Sequence, residues 1–278
     1  MIGLIDIGGT KLLAAVAQPP RGVGRTVRRA TPRAGNVVAV LAEMLDEVRH
    51  GHPLDAIGVA VPGPFDRDRG QLINPPGLSR DWHRLDIAVP LRARFDCPVR
   101  VENDANCAAL AEAHLGAGRG SRLLVYYTVS TGIGTGVVRD GELVVQRHDN
   151  EGGHQVLWPK PVGGPPCDCG GAGCLEAIAS GRAIAARFGR PPAEIEEQVV
   201  WDDVGAWLGL AVVNTTALLD CDRVVFGGGV ATPRWPRLEP ALRATVAAHL
   251  KLQPPPDIRA AVLGEDRNLA GALLLLQA

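Results

Sequence analysis

Between Glu151 and Glu176 the chain reads E-G-G-H-Q-V-L-W-P-K-P-V-G-G-P-P-C-D-C-G-G-A-G-C-L-E, and this segment constrains the fold more than any other. Three of the six cysteines, Cys167, Cys169 and Cys174, fall within eight residues. Gly170, Gly171 and Gly173 separate them and let the backbone turn tightly around a small object. His154 precedes Cys167 by 13 positions. Three thiolates and an imidazole are the ligand set of a closed, four-coordinate structural zinc site. Glu151 and Glu176 bracket the cluster, so the metal is expected to organise a polar pocket. A disulfide with a leftover thiol, or cysteines that are merely buried, would leave the glycine spacing unexplained.

The 278 residues are enough for one large domain or two ordinary ones. A net charge of −1 and only three lysines (Lys11, Lys160, Lys251) offer nothing to attract nucleic acid or an anionic membrane. No apolar run approaches the roughly 18 residues of a membrane span. Met1 runs almost at once into a strand-like segment, without the regions of a signal peptide. The cysteines are too few and too clustered for a secreted disulfide scaffold, so a reducing cytoplasm is expected.

Hydrophobic patterning suggests two α/β units. In the first, Ile2–Ile7, Leu12–Ala17 and Arg25–Arg29 read as strands. Val37–Val48, capped by Asn36, follows as a helix, then the strand Ala56–Val61, a loop over Asp66–Arg80, the helix Asp86–Phe95 and the strand Val99–Val101. The pattern then recurs. Leu123–Val129, Ile133–Arg139 and Glu142–Gln146 read as strands, and Leu175–Phe188 and Asp202–Leu219 as helices. Arg223–Phe226 and Ile258–Val262 are further strands, with helices at Leu238–Leu250 and Leu269–Leu276. Such a duplication predicts a cleft between halves, with ligands beyond the carboxyl ends of the strands. Pro254–Pro256 is a rigid connector.

Glycine clusters sit at those strand ends. In Asp6-Ile-Gly-Gly-Thr-Lys11, Gly8 and Gly9 allow positive φ and are expected to bring N–H groups against an anion. Thr10 adds a hydroxyl, and Asp6 a carboxylate for Mg²⁺. Ser130–Gly136 is the equivalent turn of the second unit, and Gly227-Gly228-Gly229 suits a flat base lying against backbone. Each alone is also what a ligand-free hairpin looks like, and none is a Walker P-loop. In Val101–Cys107, Asp104 lies where a strand ends and a helix begins. There the macrodipole is expected to keep it ionised as a proton acceptor, although an ordinary N-cap reads the same way.

Asp6–Lys11, Glu102–Asn106, Ser130–Gly136, Glu151-x-x-His154 and Cys167-x-Cys169-Gly-x-x-Gly-Cys174-x-Glu176 together resemble the successive motifs of the ROK family of bacterial sugar kinases, open-reading-frame proteins and repressors. The match is collinear over nearly the whole chain. The resemblance implies an actin-like ATPase fold: two ribonuclease-H-like α/β domains flanking a cleft, usually assembled as a homodimer. The implied division is a small domain of residues 1–106 with a closing helix in 265–278, and a larger domain, 107–264, with the zinc site. It also implies ATP- and Mg²⁺-dependent phosphorylation of a small-molecule sugar.

By that resemblance Asp104 is the general base. Asn103, Asp104, Glu151, His154 and Glu176 hold the sugar, and His154, Cys167, Cys169 and Cys174 hold structural Zn²⁺. Asp6, Gly8, Gly9, Thr10, Lys11, Thr131, Gly132, Gly227, Gly228 and Gly229 meet the nucleotide. Loss of His154 or Glu176 is expected to damage sugar binding more than ATP binding, since the glycine turns lie elsewhere in the chain. Asn150 and Gly152 depart from the family pattern and are expected to loosen the sugar loop. Glucose, phosphorylated at its 6-hydroxyl, is the expected acceptor. Alternatives are fructose, mannose, allose, N-acetylmannosamine, N-acetylglucosamine, or a sugar-binding regulator without catalysis. A family repressor would carry a helix-turn-helix domain ahead of the first glycine turn, where this chain has five residues before Asp6.

Overall fold

Alternation along Ile2–Ile7 sets the first layers: Ile5 and Ile7 enter one apolar core and Leu4 the opposite one, so the strand is covered on both faces. The computed structural model describes the whole chain except residues 19–21, 68, 76, 145–147 and 278. The elements in order begin with β1 (Ile2–Ile7), β2 (Lys11–Ala17), β3 (Val23–Ala30), α1 (Val37–Arg49), β4 (Ala56–Val61), β5 (Phe65–Asp66) and β6 (Gln71–Leu72). They continue with α2 (Ala88–Phe95), β7 (Val99–Asn103), α3 (Asp104–Leu115), β8 (Leu123–Val129), β9 (Ile133–Arg139), β10 (Glu142–Leu143), α4 (Leu175–Ala179) and α5 (Gly181–Phe188). The last are α6 (Gln198–Leu219), β11 (Arg223–Gly227), α7 (Ala231–His249), β12 (Asp257–Ala260) and α8 (Arg267–Leu274).

The chain divides into two compact units. One comprises Met1–Ala111, Glu142–Asp149 and Leu263–Ala278, the other Glu112–Gly141 and Asn150–Val262. In the first, the sheet order is β3-β2-β1-β4-β7, with an antiparallel meander on one side and parallel strands on the other. One face packs on α1 through Leu41, Met44 and Leu45, with Trp82 fully buried beside them. Asn36 caps α1 as expected, its Oδ1 accepting from Ala39 N at 3.1 Å. The other face packs on α8 through Leu269, Ala272 and Leu273. There Gly58 lets the main chain of Ala272 approach β4 so closely that no side chain would fit.

The second sheet repeats the scheme with order β10-β9-β8-β11-β12, in which the antiparallel hairpin β8–β9 is followed by the parallel strands β11 and β12. Tyr127 stacks on Phe226 at 5.3 Å between ring centroids. The helices α6 and α7 cross closely where Gly205 faces the carbonyl of Leu238 and Gly209 that of Leu242.

Several expected elements change. The helix expected over Leu175–Phe188 is two, because Ser180 is extended (φ −73°, ψ 163°) and caps α5 through Oγ···Ala183 N at 3.2 Å. The helix expected from Leu238 starts at Ala231 and contains Pro236 and Pro240, which each remove one helical N–H donor. The segment Asp66–Arg80 is not loop throughout, since β5 and β6 pair antiparallel. Of the strand expected over Glu142–Gln146, only Glu142–Leu143 forms, and Val145 and Gln146 lie outside the described residues. No helix among the described residues is long and apolar enough to cross a membrane.

Candidate active site and metal centre

The first glycine turn joins β1 to β2 and closes through Gly8 N···Lys11 O at 2.9 Å. Thr31 takes two of its carbonyls: its Oγ1 donates to Gly8 O at 2.6 Å and its N to Thr10 O at 3.1 Å. Among the described residues the N–H groups of Gly9 and Thr10 have no protein acceptor. Neither Gly8 nor Gly9 uses a positive φ; Gly8 is there because a Cβ would stand 3.0 Å from Lys11 O. Asp6, buried on β1, accepts from Asn268 Nδ2 at 3.1 Å, and burial pushes its pKa up to about 6. Lys11 and Arg28 both pair with Glu265. Asn268 and Glu265 were not singled out from the sequence, where α8 reads only as an apolar closing helix.

Asp104 opens α3, as expected, but the macrodipole does not decide its charge. Loss of hydration, helped by nearby Asp6, pushes its pKa up to about 7, against a hydrogen bond from Ala105 N at 2.8 Å. Asn103 serves as a local cap, its Oδ1 accepting from Ala105 N at 2.8 Å and Asn106 N at 3.3 Å. Beneath it lies a network that sequence reasoning missed. Glu102 Oε1 accepts from Asn103 N at 2.8 Å, from Asn106 Nδ2 at 2.9 Å and from Arg67. Arg67 also reaches Asp149 Oδ1 at 2.6 Å, and Asn106 Nδ2 reaches the same oxygen at 3.3 Å. The side chains of Arg67, Glu102 and Asp149 are 18%, 10% and 5% exposed, so one guanidinium holds two carboxylates out of water. Arg67 lies in a loop with no periodicity, and no local signal ties it to Asp149.

The second glycine turn, between β8 and β9, is one residue shorter than the first. Ser130 N donates to Gly132 O at 2.9 Å, Gly181 N to Ser130 O at 2.7 Å and Arg182 N to Thr131 O at 3.3 Å. Its carbonyls are thus taken, and among the described residues the N–H groups of Thr131 and Gly132 have no protein acceptor. Two such turns offer oriented donors to anionic oxygens. Gly229 N donates to Ser130 Oγ at 3.1 Å, so the third loop rests on this turn. Side chains at Gly227 or Gly228 would collide with Tyr126 or Val129, whereas the corresponding side of Gly229 is open.

The ligand atoms of His154, Cys167, Cys169 and Cys174 lie within 4.8 Å of one another. Cys169 and Cys174 sulfurs are 3.7 Å apart, and His154 Nδ1 is 3.7 Å from Cys167 Sγ. A tetrahedral zinc with Zn–S bonds of about 2.3 Å needs sulfur separations of about 3.8 Å, so the donor set fits that ion in chemistry and spacing. The ring's other nitrogen, Nε2, turns to Glu151 at 3.8 Å. Gly173, at φ +72°, lies against the main chain of Trp158 where no side chain would fit.

The space beside Gly152 is filled, since a Cβ there would stand 2.6 Å from Thr135 Oγ1. Glu176 lies against the second glycine turn: its Oε2 accepts from Ile133 N at 2.8 Å, and Gly132 leaves room for that same oxygen.

The structure is similar to a ROK hexokinase from Thermus thermophilus, 34% identical, with a TM-score of 0.83 over 100% of this chain and 99% of the other. It is also similar to a ROK family glucokinase from Streptomyces griseus solved with glucose and AMPPNP, 28% identical, with a TM-score of 0.80 over 99% and 98%. An N-acetylmannosamine kinase of Salmonella paratyphi A is 32% identical, covering 98% of this chain and 97% of its own. The sequence profile of the ROK family matches residues 2–278, and its solved members share the two-unit, actin-like arrangement of mixed α/β sheets: the chain belongs to the ROK family.

Proposed function

We propose that this chain transfers the γ-phosphoryl group of ATP to a hexose, with glucose as acceptor at its 6-hydroxyl. The observation that carries the reading is Asp104, a carboxyl at a helix start with a pKa pushed up to about 7. A base matched to neutral pH is what proton removal from a sugar hydroxyl requires. Asp104 accepts that proton as the oxygen attacks the γ-phosphorus and ADP departs. Phosphoryl transfer then needs mainly alignment and charge stabilisation.

The N–H groups of Gly9, Thr10, Thr131 and Gly132 supply donors for phosphate oxygens. Asp6, oriented by Asn268, is the carboxylate to hold Mg²⁺, which neutralises charge on the phosphates when bound. Asn103 presents its amide to a sugar hydroxyl, and Glu151, His154 Nε2 and Glu176 take the others. Zinc at Nδ1 would fix the ring of His154 and its tautomer. For the reaction to run, Asn103 and Asp104 must meet the same hexose as those three residues. The similarity to a glucokinase solved with glucose and AMPPNP supports the sugar and the donor.

A coupled ADP-release assay across glucose, fructose, mannose, allose, N-acetylmannosamine and N-acetylglucosamine tests the proposal. Glucose should give the highest kcat/KM. A higher value for another sugar would reassign the acceptor, and tight sugar binding without turnover of any would make the chain a regulator.

A further inference from the structure

Ile133, the first residue after the second glycine turn, is held at both of its backbone polar groups, and each contact comes from a residue within two positions of a proposed zinc ligand. Glu176, two residues after Cys174, accepts from Ile133 N at 2.8 Å. Gly153, adjacent to His154, lies so close to the carbonyl of Ile133 that any side chain there would collide with it. Ile133 itself is buried, and the carboxyl group of Glu176 is 15% exposed, so water replaces neither contact freely. Arg182 extends the link: it pairs with Asp168, between two of the cysteines, at 2.6 Å, and its other nitrogen lies 3.5 Å from Glu176 Oε1. The same Arg182 donates its backbone N–H to Thr131 O.

We propose that Glu176, bonded to the N–H of Ile133, and Gly153, packed against its carbonyl, hold the two peptides flanking Ile133, so that metal bound by His154, Cys167, Cys169 and Cys174 sets how firmly the Ser130–Gly136 turn holds nucleotide phosphates. This rests on reading that turn as a phosphate site. Glu176 is thereby a positioning residue for the nucleotide as well as a sugar contact. Because the two binding events share one rigid element, the coupling is reciprocal: nucleotide must tighten metal by the factor by which metal tightens nucleotide.

The test is calorimetric titration of the full chain with a non-hydrolysable ATP analogue, alongside zinc competition by a chromophoric chelator. Zinc removal and Glu176→Ala should each weaken analogue binding by about 10-fold, the effect of leaving one buried donor unsatisfied. Glu176→Gln, which keeps an acceptor for Ile133 N–H, should stay within about 3-fold of wild type. The effects of zinc removal and Glu176→Ala should fall short of additive, as for groups acting through one contact. Saturating analogue should raise zinc affinity about 10-fold in the unaltered, metal-loaded protein, a readout that needs no variant to fold. Equal zinc affinity with and without analogue, or unchanged analogue affinity in Glu176→Ala, would overturn the coupling alone. Absence of analogue binding by the metal-loaded wild type would overturn the phosphate-site reading and the coupling with it.

Discussion

The two glycine turns occupy the same place on sheets of the same topology, yet they are braced by different physics. The Gly8–Thr10 turn is held by charge and by the end of the chain: Asn268 on α8 orients Asp6, Glu265 gathers Lys11 and Arg28, and Thr31 takes two carbonyls. The Ser130–Gly136 turn is held by main chain and by neighbours of a metal cluster, through Gly181, Arg182, Gly153 and Glu176. Hairpins at equivalent places are therefore stiffened in different ways, one by ion pairs and side-chain bonds, the other by main chain beside a Cys/His cluster. The first unit carries the buried charge, the second the four residues whose donor atoms could hold a metal.

The comparison is broken most directly at Asp104. Asp104→Asn keeps the shape and the bond from Ala105 but accepts no proton, and should lower kcat by about 10²–10⁴-fold while sugar and ATP-analogue affinities change little. In the wild type, kcat/KM should fall as pH drops below about 7, and more steeply near 6, where Asp6 also protonates. Stability carries the opposite sign. A carboxyl whose folded pKa is raised stabilises the fold fully below about pH 4, its unfolded value, and that contribution is lost as pH rises through about 7. Asp104→Asn should therefore raise Tm at pH 8 and leave it nearly unchanged at pH 4. A variant retaining near-normal kcat would remove proton chemistry from the first unit.

The next effect tests whether buried charge supports that unit. Arg67→Met leaves Glu102 and Asp149 without their shared cation and should destabilise by about 3–5 kcal/mol, the penalty for stranding a buried charge. Adding Asp149→Asn should recover part of the loss, because the two positions act through one contact. Thermal unfolding of the two single variants and the double variant checks this, and strictly additive losses would mean that Arg67 acts elsewhere.

The smallest effect sharpens the contrast between the turns. Asn268→Ala removes one hydrogen bond to Asp6 and should weaken ATP-analogue binding by about 5-fold, from a loss of about 1 kcal/mol. The factor should be the same with zinc bound and with zinc removed. A factor that depended on the metal, read from paired titrations, would show that the first turn also leans on the zinc lobe.

Strand and helix order was legible because β1, β4 and β11 are short apolar runs ended by glycine or proline, β8 is an apolar run, and α1 carries both a periodic face and its cap. The Cys/His cluster was legible because its cysteines are close in sequence. What stayed hidden was long-range. Arg67 and Asp149 are 82 positions apart, Asp6 and Asn268 are 262, and no periodicity or local spacing marks such pairs. The charge state of Asp104 was misjudged for a related reason: the dipole is visible from its position at a helix start, whereas burial and the field of Asp6 exist only in the folded chain. The break at Ser180 and the prolines inside α7 show packing overriding local propensity.

The Arg67–Glu102–Asp149 cluster also bears on how a lineage carrying this chain can change. Losing the guanidinium first strands two acids in the interior, and losing Asp149 first leaves Arg67 half-matched, so either first step falls toward the stability threshold below which a protein is purged. Descendants should therefore keep Arg67 and Asp149 together or lose them together, and the two positions behave as one heritable character.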